Sequence, residues 1–455
     1  MEIPYYVNEC MTALRLSGFQ AWAVGGCVRD SLLGLVPHDY DLCTDAMPEE
    51  TEAVFAGYSL VTAGKKHGTI GVITSGGVVE ITTFRRDGAY SDSRHPDRVA
   101  FVNDIREDLS RRDFTVNAIA WSESTGYRDP FGGREDLEKK ILRAVGDPDT
   151  RFREDALRIL RGVRFSLRFG LTPEENTLKA MLSLSPLLDG LSRERVYTEL
   201  NGILLLLTAE AMALFAPILT RAVPELAPTV AFDQHSPHHA YDLYTHISHV
   251  VAAVPQDLTL RWAALLHDVG KVPTFTRDET GRGHFYGHAG ESARMADRIL
   301  RHLTAPNVLR EQVVLLIQNH MTPLQPERKA LRRTVSRLGL RLTEKLLQLQ
   351  EADMGSKGTG EDAGNPVFSQ VREMLRQLDA EAALPTLKDL AVNGNDLMEL
   401  GYSGKAIGQC LNWLLAQVVD ETLPNTREVL LAAARGKEID NGQWTIVNYG
   451  AASRR

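Results

Sequence analysis

The chain has 455 residues, of which 43% are hydrophobic and 24% are charged, and its formal net charge is −8. Such a length predicts about three domains with separate cores. No apolar run is long enough to cross a bilayer, and four cysteines without paired spacing indicate neither a disulfide framework nor a zinc site. The negative charge restricts any nucleic-acid surface to a local patch. The N-terminal residues 1–4 lack a signal pattern, so we expect a cytoplasmic protein.

Residues 1–145 are predicted to form an α/β head. Helical periodicity covers residues 5–16, a short apolar strand covers 21–24, and a second helix runs over 28–33 and ends at Gly34. Apolar and β-branched runs predict four further strands, at residues 40–42, 68–74, 78–84 and 98–102.

From Thr150 onwards the pattern changes, and apolar residues recur at helical spacing with proline punctuation. We therefore predict an α+β protein, in which a small head with a mixed sheet and helices precedes a long all-α body. The body is divided into a helical neck at 146–230, a histidine-containing helical domain at 231–375, and a helical tail at 376–455.

The first chemical signal is a Gly25–Gly26 turn that opens a helix carrying Arg29, followed by Asp39 and Asp41. Backbone N–H groups at the start of a helix bind phosphates. Side chains at i and i+2 of a strand project from one face, so the two carboxylates would lie together, where a shared divalent cation offsets their repulsion. This arrangement indicates a site for a metal-bound nucleoside triphosphate. The alternative is a solvated strand edge.

Glu80 is a carboxylate in an otherwise apolar and β-branched strand, 78–84. Because a carboxylate in a core is seldom left unpaired, we interpret Glu80 as a third metal ligand beside Asp39 and Asp41. The alternative is a salt bridge to Arg85 or Arg86.

Two arginines and an aspartate, Arg111, Arg112 and Asp113, precede the apolar element that follows them. The arginines offer charge to a triphosphate, and Asp113 offers an acceptor to a ribose hydroxyl. Asp113 could at the same time be a helix cap.

A fourth signal is a polar stripe at a spacing of three on a predicted helix, formed by Asp155, Arg158, Arg161 and Arg164. An aspartate accepts hydrogen bonds and an arginine only donates them. Cytosine and adenine both present an amino donor beside a ring-nitrogen acceptor, so an Asp155/Arg158 pair would select these two bases without a template. The alternative is a solvated basic helix face.

These motifs together resemble the class II tRNA nucleotidyltransferases of the bacterial CCA-adding type. The resemblance covers residues from about 20 to 170 and includes Tyr90–Pro96, which is similar to the flexible loop of that family. It continues in the region 390–430, and it implies that the neck at 146–230 binds nucleobase and RNA and that the tail at 376–455 binds tRNA.

The resemblance implies a role for each matching residue. Asp39 and Asp41 would hold Mg²⁺ with Glu80, and Gly26 and Arg29 would contact the triphosphate. The remaining nucleotide-binding residues would be Arg111, Arg112, Asp113, Asp155, Arg158, Arg161 and Arg164. The reaction would be attack of a tRNA 3′-hydroxyl on the α-phosphate of CTP or ATP, with release of pyrophosphate.

A second site is indicated in the body. The ordered series His246, His267–Asp268 and Asp353 has the composition of a metal site and resembles the HD phosphohydrolase superfamily, with His288 and His320 as additional histidines. The resemblance implies a second divalent metal and a phosphohydrolase acting on phosphomonoester or cyclic phosphate ends. The alternative is a structural helical domain.

Residues 328–345 carry a basic run, and glycine turns near Gly394 and Gly404 precede helices. Both features could hold RNA phosphates or be ordinary helix faces and caps. The expected partners are tRNA, CTP and ATP, with no membrane and no obligate protein partner. The sequence leaves open whether CCA or only the terminal A is added. Two other functions also stay open: a bacterial poly(A) polymerase, and an HD-type nucleotide phosphohydrolase whose head is regulatory.

Overall fold

The structure is a computed structural model that describes residues 1–88, 99–236, 240–358, 365–380, 385–435, 438–440 and 443–445. The predicted flexible loop, Tyr90–Pro96, lies outside the described residues. The chain divides into two compact units. Unit 1 comprises residues 1–228 and 301–305, and unit 2 comprises residues 229–300 and 306–455. The predicted boundaries at 145, 230 and 375 stay predictions.

A seven-stranded mixed sheet forms the centre of the head. Its spatial order is β3-β4-β5-β2-β1-β8-β9, with bounds β1 Trp22–Val24, β2 Asp41–Thr44, β3 Ser59–Val61, β4 Thr69–Thr74, β5 Gly77–Thr83, β8 Ala120–Ser122 and β9 Gly126–Arg128. Strands β2 and β5 pair in parallel, and the other neighbours pair antiparallel. The remaining described strands form two-stranded pairs: β6 Arg85–Asp87 with β7 Val99–Phe101, β10 Ile141–Leu142 with β11 Thr172–Pro173, β12 Thr276–Arg277 with β13 Gly283–His284, and β14 Glu438–Asp440 with β15 Gln443–Thr445.

Helices form most of the rest of the described chain. In unit 1 they are α1 Tyr5–Leu16, α2 Gly26–Leu32, α3 Pro48–Val54, α4 Ile105–Ser110, α5 Gly133–Glu138, α6 Pro148–Glu154, α7 Leu157–Phe169, α8 Glu175–Ser183, α9 Arg193–Leu204, α10 Ala209–Leu214 and α11 Ala216–Ala222. From residue 229 onwards they are α12 Leu243–Ala253, α13 Leu258–Leu266, α14 His288–His302, α15 Asn307–Asn319, α16 Arg328–Leu338, α17 Leu340–Gly355, α18 Pro366–Ala380, α19 Gly394–Glu399, α20 Lys405–Val419 and α21 Arg427–Arg435.

The core of the head lies between the sheet and helix α4. Trp22 and Val24 of β1, Cys43 of β2 and Leu109 of α4 are buried together with Phe84. Burial of these side chains fixes the register of β1 against β2, because a slip by one residue would turn every apolar side chain to the opposite face.

The α+β class is confirmed. Helix α1 spans the predicted residues, and the other predicted elements of the head differ from the observed ones at their ends. The all-α description of the body needs one correction, since it contains short strands: β11, β12 and β13 have two residues each, and β14 and β15 have three. Two-residue strands carry no alternating pattern for a sequence to reveal.

The four cysteines, Cys10, Cys27, Cys43 and Cys410, are buried free thiols. Among the described helices, none is both long enough and apolar enough to cross a membrane.

Candidate active site

Strand pairing brings two of the predicted metal ligands side by side. Asp41, the first residue of β2, is the parallel register partner of Glu80 in β5. Side chains of register partners on adjacent strands point to the same face of a sheet. Asp39 lies two residues before Asp41, and it precedes the strand instead of lying on it. We call Asp39, Asp41 and Glu80 the carboxylate site.

Glu80 is exposed, so its interpretation as a carboxylate enclosed in a core is wrong. Alternation along β5 explains this, because Val79 and Ile81 are buried and Glu80 between them faces outward. The exposed position leaves the carboxylate accessible to a ligand.

The electrostatics of the carboxylate site favour a cation. Asp41 is solvent accessible as a residue, yet its carboxyl group is crowded by the surrounding protein. Desolvation, together with repulsion from Asp39 and Glu80, raises the pKa of Asp41 to about 6, although the Arg112 guanidinium acts in the opposite direction. A bound divalent cation would offset the repulsion between these carboxylates and stabilise the ionised form of Asp41.

The glycine turn lies next to this site, because β1 ends at Val24, which is the register partner of Asp41. Gly25 has a φ of +72°, and a Cβ atom there would lie 2.7 Å from Nη1 of Arg112. Only glycine combines this backbone conformation with so close an approach. The turn therefore places Arg112 against the start of α2, beside the carboxylate site.

Arg111 and Arg112 share one buried partner, Asp108 of α4. Its Oδ1 lies 2.9 Å from Nη2 of Arg111, and its Oδ2 lies 3.4 Å from Nη2 of Arg112. Burial raises the pKa of Asp108, but the two guanidinium groups outweigh this and lower it. Asp108 thus holds both arginines at the end of α4.

Arg29 lies in a buried network and is 5% exposed. Its Nε donates to Oδ1 of Asp30 at 2.8 Å, and its guanidinium also donates to Oδ1 of Asn117. The guanidinium carbon lies 4.2 Å from the ring centroid of Phe169. Arg29 therefore joins α2 to the turn at Asn117 and to α7.

Asp113 continues this network. Asn117 donates to its Oδ1 at 2.9 Å, and Arg161 Nε donates to its Oδ2 at 2.8 Å. Burial favours the neutral carboxyl, but Arg161 and Asn117 outweigh it and lower the pKa of Asp113 to about 2. Asp113 is thus a buried ion-pair partner; it is not the cap of a helix, since the short 3-10 helix that follows, Thr115–Asn117, has Phe114 at its N-cap.

The predicted single stripe is interrupted at Asp155. Helix α6 ends at Glu154 and α7 begins at Leu157, so Asp155 lies between two helices and Arg158, Arg161 and Arg164 lie on the second one. Asp155 has extended backbone angles, and its Oδ1 accepts from the Leu157 N–H at 3.1 Å. An aspartate that bonds the neighbouring backbone competes with helix continuation.

The side chains of this region have partners that the sequence did not indicate. Asp155 Oδ2 accepts from Arg195 at 2.9 Å, and Arg158 donates to Glu154 at 2.7 Å and to the Arg111 carbonyl oxygen at 3.0 Å. Arg164 donates to Glu199 at 2.7 Å. Arg195 and Glu199 belong to α9, whose sequence gives no signal beyond charged residues on a helix.

The series predicted in the body converges in unit 2. We call the four residues His246, His267, Asp268 and Asp353 the histidine site; each offers a ligand atom within 4.8 Å of the others. His246 belongs to α12, the His267–Asp268 pair follows α13, and Asp353 lies in the last turn of α17. His246 Nε2 lies 3.0 Å from Asp353 Oδ1, and His267 Nε2 lies 3.2 Å from Asp268 Oδ2.

The histidine site is desolvated. His246 and His267 are fully buried and Asp268 is 1% exposed. Burial lowers the pKa of His267, but the carboxylates of Asp268 and Asp353 outweigh it and raise that pKa. Lys271 Nζ lies 2.7 Å from Asp268 Oδ2, and it donates a second hydrogen bond to Gln234 Oε1 at 3.0 Å.

The basic run of α16 and α17 is largely engaged in ion pairs. Lys329 and Arg333 lie beside Asp420, and Lys345 Nζ lies 2.8 Å from Asp257 Oδ2. Such pairing leaves fewer cations of this run for phosphate contacts.

Three family models match parts of the chain. The "Poly A polymerase head domain" matches residues 21–143, the "Probable RNA and SrmB- binding site of polymerase A" matches 170–214, and tRNA nucleotidyltransferase domain 2 matches 284–434. The first of these covers the carboxylate site.

Similarity to curated relatives extends along nearly the whole chain. The CCA-adding enzyme of Streptococcus sanguinis is 34% identical over 445 residues, which cover 96% of this chain and 99% of the relative. This chain belongs to the CCA-adding enzyme family. The CCA-adding enzyme of Geobacillus thermodenitrificans is 44% identical over 216 residues, 48% of this chain and 50% of the relative.

A solved CCA-adding enzyme agrees with this membership. The crystal structure of the Bacillus stearothermophilus CCA-adding enzyme in complex with CTP has a TM-score of 0.69 and 30% sequence identity, and the match covers 95% of this chain and 97% of that one. As a CCA-adding enzyme, the chain is a nucleotidyltransferase, as the sequence motifs predicted.

Proposed function

We propose that this member of the CCA-adding enzyme family extends the 3′ end of tRNA by C, C and A in the cytoplasm, using CTP and ATP and releasing pyrophosphate. The observation that carries the proposal is the pairing of Asp41 with Glu80 beside the glycine turn against which Arg112 lies. The similarity over 96% of the chain to a CCA-adding enzyme supports it.

Asp39 and Asp41, with Glu80, would hold Mg²⁺. The fit rests on an all-oxygen donor set, which Mg²⁺ prefers, and on the desolvation and the neighbouring carboxylates that together raise the pKa of Asp41 to about 6. When bound, Mg²⁺ supplies charge stabilisation for the attacking hydroxyl and for the departing pyrophosphate.

The triphosphate would lie at the start of α2. The backbone N–H of Gly26 is one of the free donors of the first helical turn, and Arg112 adds positive charge beside it. Arg111 lies next to Arg112 on the shared partner Asp108. Arg29 is a buried residue of α2, and its hydrogen bond to Asn117 Oδ1 links the first turns of this helix to the turn at Asn117.

The incoming base would be selected by Asp155 and Arg158. The carboxylate of Asp155 accepts a hydrogen bond from the amino group that cytosine and adenine share, and Arg158 donates to the neighbouring ring nitrogen. Arg195 and Glu154 hold these two side chains by ion pairs. Arg161 holds the buried Asp113 by an ion pair, and Arg164 anchors α7 to Glu199.

Incorporation assays test this function. The purified protein is incubated with Mg²⁺ and with tRNAs that end before CCA, after the first C or after the second C, and each receives labelled CTP or ATP. We expect growth of the shortest tRNA by three residues. Addition of A to the CC-ended tRNA alone would identify an A-adding enzyme, long A tails would identify a poly(A) polymerase, and no incorporation would overturn the proposal.

The tail would contribute to tRNA binding, as the match of residues 284–434 to tRNA nucleotidyltransferase domain 2 supports. Ion pairing across α16 and α17 predicts that few lysines and arginines there contact phosphate. Recognition of duplex RNA by shape fits a chain of net charge −8.

A second candidate function is favoured by the histidine site. Its buried imidazoles and carboxylates have the composition of a site for a transition metal, and such a metal could support hydrolysis of phosphomonoester or cyclic phosphate ends. Metal analysis of the purified protein and of His267→Ala tests it. Loss of bound metal and of phosphate release in the variant is the expected result, and equal metal content would contradict it.

A further inference from the structure

We propose that Val61, Ile73 and Val78, on the sheet face that carries the carboxylate site, hold the base of the tRNA nucleotide whose 3′-hydroxyl attacks. We call these three residues the apolar patch. The proposal deepens the proposed nucleotide addition and rests on it. It assigns a subsite for the RNA end that accepts any base.

One register row crosses five strands of the sheet and contains two of the carboxylates. Val24 of β1 is the partner of Asp41 in β2, which is the partner of Glu80 in β5. The row continues from Glu80 to Gly71 of β4, and from Gly71 to Val61 of the edge strand β3. Register partners point to the same face. Since neighbouring strands lie about 4.8 Å apart, Gly71 is about 5 Å and Val61 about 10 Å from Glu80 along this row.

The two ends of this sheet face differ in what covers them. At the β1 end, Val24 is buried together with Leu109 of α4. On the other side of the carboxylates, Val61 is 44%, Ile73 45% and Val78 52% exposed. The face is therefore closed at β1 and accessible over β3, β4 and β5.

The three exposed residues form one surface. Ile73 and Val78 are register partners, and each lies two residues along its strand from a member of the row, so both share its face. A Cβ atom at Gly71 would lie 3.1 Å from Cβ of Val61 and 3.1 Å from Cγ1 of Val78. The glycine thus lets the two valines approach each other over it, and a side chain there would push them apart.

The hydrophobic core does not require apolar residues at these positions. Alternation along β4 and β5 directs the core side chains to the opposite face, where four of them are buried: Ile70, Val72, Val79 and Ile81. An exposed cluster of apolar side chains beside a reaction site indicates a ligand that covers it.

The geometry of the proposed reaction identifies this ligand. In an in-line displacement the attacking and the leaving oxygen lie on opposite sides of phosphorus. The pyrophosphate would leave towards the start of α2, which follows β1. The attacking hydroxyl therefore approaches from the other side of Asp41, along the row past Glu80, and the base attached to its ribose is directed over the apolar patch.

Apolar contacts suit an RNA end that changes during the reaction. The terminal nucleotide is first the one that precedes CCA, then the first C and then the second C. Every base has an apolar face, so packing against that face tolerates all of them. Valine and isoleucine side chains carry no hydrogen-bonding group and do not discriminate between base edges. Selection would then be left to Asp155 and Arg158, which read the incoming base.

A double-mutant cycle between the apolar patch and the terminal base tests the proposal. CTP incorporation by the full-length protein is measured on a tRNA that ends after the first C, and on the same tRNA whose last nucleotide is an abasic ribose with its 3′-hydroxyl intact. The double variant Val61→Thr, Val78→Thr keeps the branched shape and adds hydroxyl groups, and Ile73→Phe enlarges the apolar surface. Leu16→Thr, at an 85% exposed position at the end of α1, is the control. Thermal unfolding verifies that each variant is folded.

On the normal tRNA we expect the double variant to lower kcat/KM for tRNA by about tenfold, while KM for CTP stays within about twofold. Ile73→Phe should raise kcat/KM for tRNA by about threefold, and Leu16→Thr should leave it unchanged. On the abasic tRNA, wild type and double variant should agree within about twofold, because the contact that the variant weakens is already missing.

Three results would contradict the apolar patch. An equal loss on both RNAs would place a protein segment, from this chain or from a second copy, on this face. A raised KM for CTP with an unchanged kcat/KM for tRNA would place the incoming nucleotide there. Unchanged kinetics in the double variant would overturn the patch and leave the proposed nucleotide addition intact, whereas no incorporation by wild type would overturn both.

Discussion

The carboxylate site of the head and the histidine site of the body both gather acidic groups, but they handle the repulsion in opposite ways. Asp39, Asp41 and Glu80 are exposed residues on or beside the inner strands β2 and β5, where an incoming ligand can reach them. Asp268 is buried, and its carboxylate lies between histidine side chains and the Lys271 ammonium group. An open site suits metal that enters and leaves with a nucleotide, whereas a buried one suits resident metal, because its protein ligands are already desolvated.

The largest expected effect separates the two sites by activity. Asp41→Asn removes a charged ligand from the carboxylate site, so we expect nucleotide addition to fall by roughly 10³-fold or more, equivalent to about 4 kcal/mol. Metal content at the histidine site should not change. Steady-state incorporation of CTP measures the effect, with the exposed Asp149→Asn as a control. Activity within tenfold of wild type would remove Asp41 from the reaction.

The second prediction concerns stability. Metal bound only by the folded state stabilises it by about 2.7 kcal/mol at a free concentration one hundred times Kd. We expect Mn²⁺ to raise the free energy of unfolding of the stripped protein by at least this amount, and Asp268→Asn to abolish the increase. Urea unfolding with and without Mn²⁺ measures it. Asp41→Asn should retain the increase, and its loss there would show that the stabilising ion is in the head.

The third prediction concerns base selection, which a metal does not provide. Asp155→Asn places an amide where a carboxylate oxygen accepts, so we expect the preference for CTP over UTP to fall by about 10- to 100-fold, equivalent to about 1–3 kcal/mol. The ratio of kcat/KM values for the two nucleotides measures this. If Asp155→Asn lowers both values equally, Asp155 supports the α6–α7 junction and does not read the base.

The smallest effect is a pH dependence within the buried network of the head. The pKa of Asp113 is lowered from 3.8 to about 2, so its ionised form stabilises the fold above pH 4, and this contribution is lost as the pH falls towards 2. We expect about 2 kcal/mol of unfolding free energy to depend on Asp113 in this window. Urea unfolding of wild type and Asp113→Asn should differ at pH 5 and converge near pH 2. A constant difference would place the effect in packing.

Sequence reasoning named candidate residues for both sites but misjudged how some of them are held. Asp39, Asp41, Arg112 and Asp155 were identified from short motifs, because the chemistry of phosphates, metals and bases restricts residue types. Glu80 was expected in a core and is exposed, since a single carboxylate in an apolar run does not tell which face of a strand it occupies.

The continuous helix predicted through Asp155 was wrong for a similar reason. Charged and apolar residues at helical spacing continue across the junction, and a local bond from the Asp155 side chain to the Leu157 N–H decides the break. Arg195 and Glu199 were missed because their partners are 40 and 35 residues away, a separation that no local pattern encodes.

The sequence by itself determined the α+β class, the order of the motifs and the residue types able to hold nucleotide and metal, because periodicity and side-chain chemistry are local properties. Only the tertiary structure decided that Asp41 and Glu80 are register partners and that the two oxygens of Asp268 face two different pairs of histidines. Both facts depend on which distant segments pack against one another. That packing is set by burial of the whole apolar surface, to which each motif contributes only a small part.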